Sequence, residues 1–319
     1  MNKKILIITG DPNSINSEII FKSWKKLDSK VKKKLLFISN FKLMEQQFKK
    51  LNYKIKLTDF NTKNNLIKKN SINILNIDLK FKNPFKVSHN QASKFFISSI
   101  NLAHKLALNN DVSGVITCPI NKALLNNKNI GLTEYLASKS NIKDNSEVML
   151  ITNRNLSVCP ITTHEHIKYV SKKLNKKLLI NKTNTIVKWF KTKIKKNPKI
   201  GILGLNPHNA ELKKNSEERK IIIPSILKMK KLKINVEGPL IADTLFIKDY
   251  KKYDVIIGMY HDQVLAPYKS IFKFDAINLT LGLKYLRVSP DHGIANNIIG
   301  KNKADPKSLM ECIYFLNKF

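Results

Sequence analysis

Three histidines stand directly beyond apolar runs of strand length. His164 follows Leu156–Thr163, His208 comes shortly after Lys199–Leu205, and His261 after Tyr253–Met259. In open parallel sheets, ligands gather beyond the carboxyl ends of the strands, so side chains distant in sequence meet there in space. Three neutral imidazoles with a fourth position open are the donor set of a catalytic zinc-type ion. Asp243, in Ala242-Asp243-Thr244, and Asp262, beside His261, are placed to orient those imidazoles or to add a carboxylate. A lone histidine is more often a satisfied structural residue than a ligand. Three at strand ends with aspartate neighbours shift the weight toward a metal. His166 leaves one choice open: in an extended His164-Glu165-His166 both imidazoles point to the same face. His89 and His104, in or before a helical pattern, read as structural.

A second set is basic and polar. Lys269, Asn278 and Arg287 follow His261 within one stretch. The fork of a guanidinium suits phosphate or carboxylate in a way that lysine does not, which singles out Arg287 over Lys269. Thr133-Glu134, after Gly131, either puts a hydroxyl on a phosphate at a helix start or forms an ordinary cap. Lys269, Asp243 and Asp262 are the candidate catalytic groups. No G-x-G-x-x-G and no P-loop occurs, so a dinucleotide fingerprint of the usual kind is missing.

The elements that must position these groups alternate in type. Lys4–Thr9, Lys34–Ser39, Ile72–Ile77, Val112–Thr117 and Glu147–Thr152 join the three runs above as expected buried strands. Amphipathic helices are expected over Gln91–Leu108, with Ala92, Phe95, Phe96, Ser99, Leu102, Ala103 and Leu106 on one face, and over Leu179–Lys196. This alternation predicts an α/β fold with a largely parallel sheet.

The chain of 319 residues is 42% hydrophobic and 25% charged, the balance of a globular protein with a sizeable core. No apolar run reaches the roughly 18 residues of a membrane span, and the first run meets Gly10-Asp11-Pro12 as a strand rather than a signal peptide. A cytoplasmic location with no membrane partner is expected. Three cysteines without a C-x-x-C pair argue against a disulfide framework or a cysteine zinc site; Cys118 and Cys159 read as buried, inert thiols. The net charge of +35 raises the question of nucleic acid. Only Arg154, Arg219 and Arg287 are arginines, leaving 55 lysines spread along the chain without interleaved aromatics. Direct base reading leans on arginine and stacking on aromatic platforms, so solvated faces, and no specific nucleic-acid partner, are the better reading.

The same residues carry a family resemblance. Gly10-Asp11-Pro12, Thr117-Cys118-Pro119-Ile120-Asn121-Lys122, Gly131-Leu132-Thr133-Glu134, Leu205-Asn206-Pro207-His208 and Gly238-Pro239-Leu240-Ile241-Ala242-Asp243-Thr244 occur in order. They are followed by Met259-Tyr260-His261-Asp262-Gln263, Asn278-Leu279-Thr280-Leu281-Gly282-Leu283 and Ser289-Pro290-Asp291-His292-Gly293. The set resembles the 4-hydroxythreonine-4-phosphate dehydrogenase family from Ile5 to about Asp305. Each motif is weak alone; the ordered set is specific. The resemblance implies two α/β/α subdomains with an interdomain cleft, an isocitrate/isopropylmalate dehydrogenase-like fold, divided as 1–130 with 270–319 and 131–269. It implies a homodimer with a shared active site and one divalent ion (zinc, cobalt or magnesium) per subunit, on His164, His208 and His261, one ligand coming from the partner. Substrate contacts map to Thr133, Lys269, Asn278 and Arg287, and NAD or NADP to the neighbourhood of His292, Gly293 and Asn297.

Four departures stand out. Leu132 replaces a substrate-binding histidine of the family, Asn13-Ser14-Ile15-Asn16-Ser17-Glu18 lacks two glycines and a proline, Cys118 stands where glycine is common, and Asn297 replaces an aspartate. The implied reaction is oxidation of 4-phosphooxy-L-threonine, a small phosphorylated substrate, by NAD(P), then decarboxylation, in pyridoxal 5'-phosphate biosynthesis. One rival is a dehydrogenase of phosphorylated threonate or erythronate. A rival of another class is a catalytically weak relative that binds polyanions through its lysines.

Overall fold

A computed structural model describes residues 3–60, 67–68, 70–125, 131–142, 144–273 and 275–319. Its strands, in chain order, are β1 (Lys4–Ile8), β2 (Leu35–Ser39), β3 (Lys56–Asp59), β4 (Ser71–Asn76), β5 (Val112–Thr117), β6 (Val148–Thr152), β7 (Ser157–Thr162), β8 (Ile200–Leu203), β9 (Val236–Leu240), β10 (Val255–Tyr260), β11 (Ile277–Leu281) and β12 (Leu286–Pro290). The chain divides into two compact units. One holds the described residues up to Leu125 together with Lys284–Phe319, and the other runs from Gly131 to Leu283.

In the first unit the strand order is β3-β4-β2-β1-β5-β12, and every pairing is parallel. Ile5, Ile7, Leu35 and Ile38 are fully buried, as a parallel strand covered on both faces requires. The helix His89–Ala107 lies between β4 and β5 in the chain. Ala92, Phe95, Phe96, Ser99, Ile100, Ala103 and Ala107 are its buried residues, while Leu102 and Leu106, expected on that face, are half-buried. His104 bonds the Tyr285 hydroxyl at 2.9 Å, a structural role. Asp11 ties two loops together: its Oδ1 accepts the Asn13 amide at 2.8 Å and its Oδ2 the Asn121 amide at 3.2 Å. At Gly10 the φ of +75° and the approach of the Cys118 and Pro119 carbonyls leave no room for a Cβ.

In the second unit the order is β11-β6-β7-β10-β8-β9. β7, β10, β8 and β9 are parallel, whereas β6 is antiparallel to both β7 and β11. The sheet is largely parallel, as expected, and β6 is the strand that departs from that pattern. The link from β6 to β7 is too short for a crossover and can only turn back. Asn153 makes that turn, its Oδ1 accepting the amides of Asn155 and Leu156 at 2.8 and 2.9 Å. The core between sheet and helices includes Met149, Val158, Ile256, Val264 and Tyr268. The second amphipathic helix runs Lys176–Trp189 and ends in a wider turn, Phe190–Ile194, short of the expected Lys196. The helix His261–Phe272 and β11 both pack within this unit, so the chain returns to the first unit at Lys284 rather than at 270. All three cysteines are buried and free, and burial pushes their thiols upward, Cys159 to about 12. Among the described residues no helix is long and apolar enough to cross a membrane.

Candidate active site

The register of β7 with β10 builds the centre. Thr162 lies opposite Tyr260, and the Thr162 hydroxyl donates to the Met259 carbonyl at 2.7 Å, so the two strands end side by side. His164 is two residues past one end and His261 is the first residue past the other, opening the helix His261–Phe272. Their ring centroids lie 5.8 Å apart with planes at 37°. Two imidazoles sharing one ion at the ordinary metal–nitrogen distance of about 2.1 Å place their centroids roughly 5–6 Å apart, so this pair fits a divalent ion. The Asp262 carboxylate is 2.6 Å from Nδ1 of His261, so the nitrogen this ring could offer a metal is Nε2. His166 begins the helix Ile167–Lys173 and packs its ring edge-on to Tyr169 at 6.3 Å, away from this pairing.

His208 is placed differently. β8 lies beside β10 on the side opposite β7, so its loop also leaves the carboxyl end of the sheet. His208 lies 3.8 Å from Asp243 through Nε2, and both are exposed. Among the described residues no group of three His, Cys, Asp or Glu comes together in metal-binding geometry. Within one chain the structure thus joins His164 with His261 and leaves His208 with Asp243. The His208 loop is strained: His208, Asn209, Ala210 and Glu211 all have left-handed dihedrals, and Leu212 has φ of +56°.

What holds that loop was not legible in the motifs. Glu218 is fully buried, and its Oε1 accepts the Leu205 and Asn206 amides, both at 2.8 Å. Its Oε2 accepts the Asn206 side-chain amide at 3.0 Å. Gly204 lies so close that a Cβ there would strike Asn209 and Glu218. Gln263 braces the neighbouring turn, accepting the Met259 amide at 2.7 Å and donating to the Gly204 carbonyl at 2.7 Å. Gln263 belongs to the histidine motif and so was within reach; Glu218, ten residues past His208, carried no periodic or spacing signal.

Beside His164 lies a cavity of about 380 Å³ whose walls include Glu134, Glu147, Thr163, Lys173 and Lys182. Lys182 is buried, donates to the Glu147 carbonyl and lies 3.9 Å from its carboxylate. Burial pushes the Glu147 carboxyl above its ordinary range, with Lys182 opposing.

The remaining candidates are distributed between the units. In the second, Thr133 is buried in the helix Leu132–Lys139 and shares a 3.2 Å hydrogen bond with Thr280. Asn278, in β11, has a buried Oδ1 with no hydrogen-bond partner, as a group awaiting a donor would. Lys269 is half-buried in the helix that starts at His261. In the first unit, Arg287 is buried in β12 with its Nε donating to the Thr117 hydroxyl at 3.3 Å. His292 has Nδ1 3.0 Å from the Gly293 carbonyl and a buried Nε2 without a hydrogen bond. A Cβ at Gly293 would meet nothing within 4 Å, and Asn297 is exposed in the turn Asn296–Ile298.

Comparison with known proteins identifies the family. The sequence model of the pyridoxal phosphate biosynthetic protein PdxA matches residues 30–316. A 4-hydroxythreonine-4-phosphate dehydrogenase from Sulfurihydrogenibium is 34% identical over 97% of this chain and 96% of its own. A relative from Oceanobacillus iheyensis, provisionally named a D-threonate 4-phosphate dehydrogenase, is 32% identical over 98% of this chain and 97% of its own. The crystal structure of 4-hydroxythreonine-4-phosphate dehydrogenase from Klebsiella pneumoniae superposes with a TM-score of 0.86 at 27% identity, covering 99% of this chain and 97% of that one. Isocitrate dehydrogenase from Methylococcus capsulatus, at 11% identity and a TM-score of 0.51 over 99% of this chain and 85% of that one, shares the fold. With most of its length matched by the family model and by full-length relatives, the chain belongs to the pyridoxal phosphate biosynthetic protein PdxA family and is a dehydrogenase.

Proposed function

We propose that the protein oxidises the secondary alcohol of 4-phosphooxy-L-threonine with NAD or NADP and then decarboxylates the product to 3-amino-2-oxopropyl phosphate, in pyridoxal 5'-phosphate biosynthesis. The observation that carries the reading is the His164–His261 pair at 5.8 Å, with Asp262 holding the distal ring nitrogen of His261. His164, His261 and His208 would hold a divalent ion (zinc, cobalt or magnesium), which when bound would supply the positive charge that lowers the alcohol pKa and polarises the carbonyl. A bound nicotinamide would accept the hydride of the alcohol carbon, and Lys269 is the candidate base for the hydroxyl proton. The resulting β-keto acid loses CO₂; the electrons of the broken C–C bond pass toward the carbonyl, and the α-carbon is reprotonated. Thr133, Asn278, Lys269 and Arg287 are assigned to the substrate's phosphate and carboxylate, because a fixed fork and oriented hydroxyl and amide groups select the geometry of anions. His292, Gly293 and Asn297 are assigned to the nicotinamide cofactor.

A homodimer follows from the same reading. One chain pairs two imidazoles and not the third. Exposed apolar residues flank the ligand segments: Ile167 is 74% exposed, Leu212 44% and Ile247 75%. A second copy covering such residues and contributing an imidazole completes the donor set.

Purified protein loaded with zinc, cobalt or magnesium and given 4-phosphooxy-L-threonine should reduce NAD or NADP and release CO₂ in equal amount. A second reading, phosphorylated threonate or erythronate as substrate, is favoured by Leu132 and by the name of the Oceanobacillus relative. Turnover of 4-phosphoerythronate or D-threonate 4-phosphate without turnover of 4-phosphooxy-L-threonine would reject the first substrate and keep the chemistry.

A further inference from the structure

Glu165 stands beside His164 in the chain as Asp262 stands beside His261, but its carboxylate is paired with Lys173, and a ligating imidazole needs its second nitrogen fixed. The fold brings a carboxylate from elsewhere. Glu134, in the first turn of the helix Leu132–Lys139, accepts the Thr163 hydroxyl at 2.7 Å through Oε1, anchoring it to the residue next to His164. Its Oε2 is sealed from solvent and has no hydrogen-bond partner. A buried carboxylate oxygen left unmatched is costly, so a donor must be within its reach in the working protein.

The surroundings of Gly131 bring one candidate donor close to that oxygen. A Cβ built there would lie 2.5 Å from Glu134 Oε2 and 3.0 Å from His164 Nδ1, so both atoms crowd the same glycine. The cations of the adjoining cavity are engaged otherwise: Lys182 donates to the Glu147 carbonyl, and Lys173 pairs with Glu165. We propose that Glu134 is a positioning residue for His164: its Oε2 accepts the Nδ1–H of that imidazole and thereby presents Nε2 to the metal. Glu134 then does for His164 what Asp262 does for His261. The glycine at 131 keeps the space through which the two side chains approach. The inference rests on the metal reading given above.

The test uses metal-stripped full-length protein titrated with zinc by calorimetry, together with nitrogen NMR of the histidine rings. Glu134→Gln should weaken zinc binding about tenfold and Glu134→Ala by up to about 100-fold, the range for losing such a partner. Thr163→Val, which frees Glu134 without removing it, should give a smaller loss in the same direction. The His164 ring in metal-free wild type should carry its proton on Nδ1, and that preference should vanish in Glu134→Ala, a change that a merely structural role would not produce. Wild-type zinc affinity in Glu134→Gln and Glu134→Ala, both folded, overturns the proposal. If wild type itself takes no zinc, the metal reading fails, and the His164 tautomer in the metal-free protein still decides the role of Glu134.

Discussion

Replacing Glu218 by glutamine is expected to loosen the His208 loop and to do so in a pH-dependent way. The carboxylate is fully buried and receives two backbone amides at 2.8 Å and the Asn206 side-chain amide at 3.0 Å. Glutamine keeps the shape and one acceptor oxygen, so the backbone bonds survive without their charge. Its NH₂ then faces the Asn206 amide, donor against donor. Losing one charge-assisted bond and weakening two costs about 2–4 kcal/mol at the usual 1.5–3 kcal/mol for bonds to a charged group. At roughly 2–4 °C per kcal/mol for a unit of this size, the melting midpoint should fall by about 4–16 °C.

The pH dependence has a definite sign. Burial pushes the Glu218 carboxyl upward, but the hydrogen bonds from Asn206 and Leu205 outweigh it, and the group is held below its ordinary value. A depressed carboxyl contributes stability that is complete above its unfolded pKa of about 4.3 and is lost as pH falls through the lower folded value. The gap between wild type and Glu218→Gln, read by urea titration, should therefore be full at neutral pH and close below about pH 4. A gap under about 1 kcal/mol at neutral pH, or one unchanged in acid, refutes the assignment of Glu218 as the anchor of this loop.

Other perturbations probe neighbouring steps. His208→Ala and His261→Ala should each remove most bound metal and activity, and Asp262→Asn should weaken metal binding by about 10- to 100-fold; full metal content in His208→Ala by atomic absorption sinks the three-histidine reading. Leu132→His restores a hydrogen-bond donor, so kcat/KM on 4-phosphooxy-L-threonine should rise about tenfold or more; no rise, with strong wild-type turnover of 4-phosphoerythronate, reassigns the substrate. Ala210 has φ of +49°, a conformation costing an L-residue roughly 1–2 kcal/mol, so Ala210→Gly should stabilise the protein by about 0.5–1 kcal/mol after glycine's own chain entropy is counted; destabilisation on thermal unfolding would contradict the loop geometry. Binding of duplex DNA should be weak, blind to sequence and lost steeply with added salt; tight selective binding at physiological salt would show that the dispersed lysines form a site.

The parts of this protein that a linear reading reached are those governed by local periodicity. β1 and β2 are buried on both faces and read as nearly unbroken apolar runs, β4 and β5 show shorter apolar stretches broken by small polar residues, and the helix between β4 and β5 shows its stripe at three- and four-residue spacing. β3 and β9 escaped because edge strands shed that signal: one is charged, and the other carries Gly238-Pro239, which a central strand would not tolerate. β11 and β12 were lost among polar side chains, Asn278, Thr280, Arg287 and Ser289, which were read as chemistry rather than as the alternating face of a strand.

The site divides in the same way. That His164 and His261 meet follows from two strand ends and one rule about parallel sheets, and both were visible without coordinates. The orientation of each ring was not, because orientation depends on partners that only the fold assembles. Asp262 happens to be adjacent in the chain; Glu134 reaches Thr163, the residue before His164, across 29 positions, and Glu218 holds the backbone before His208 from ten positions beyond it. His208 departs furthest from the linear reading. Its strand delivers it to the correct end of the sheet, but a left-handed turn then sends it to Asp243 instead of to the other two imidazoles. A pattern of residue types can place a ligand on the right edge of a sheet. The dihedrals of the following loop decide where the ligand points, and those are set by a buried glutamate whose only sequence mark is that it is a glutamate.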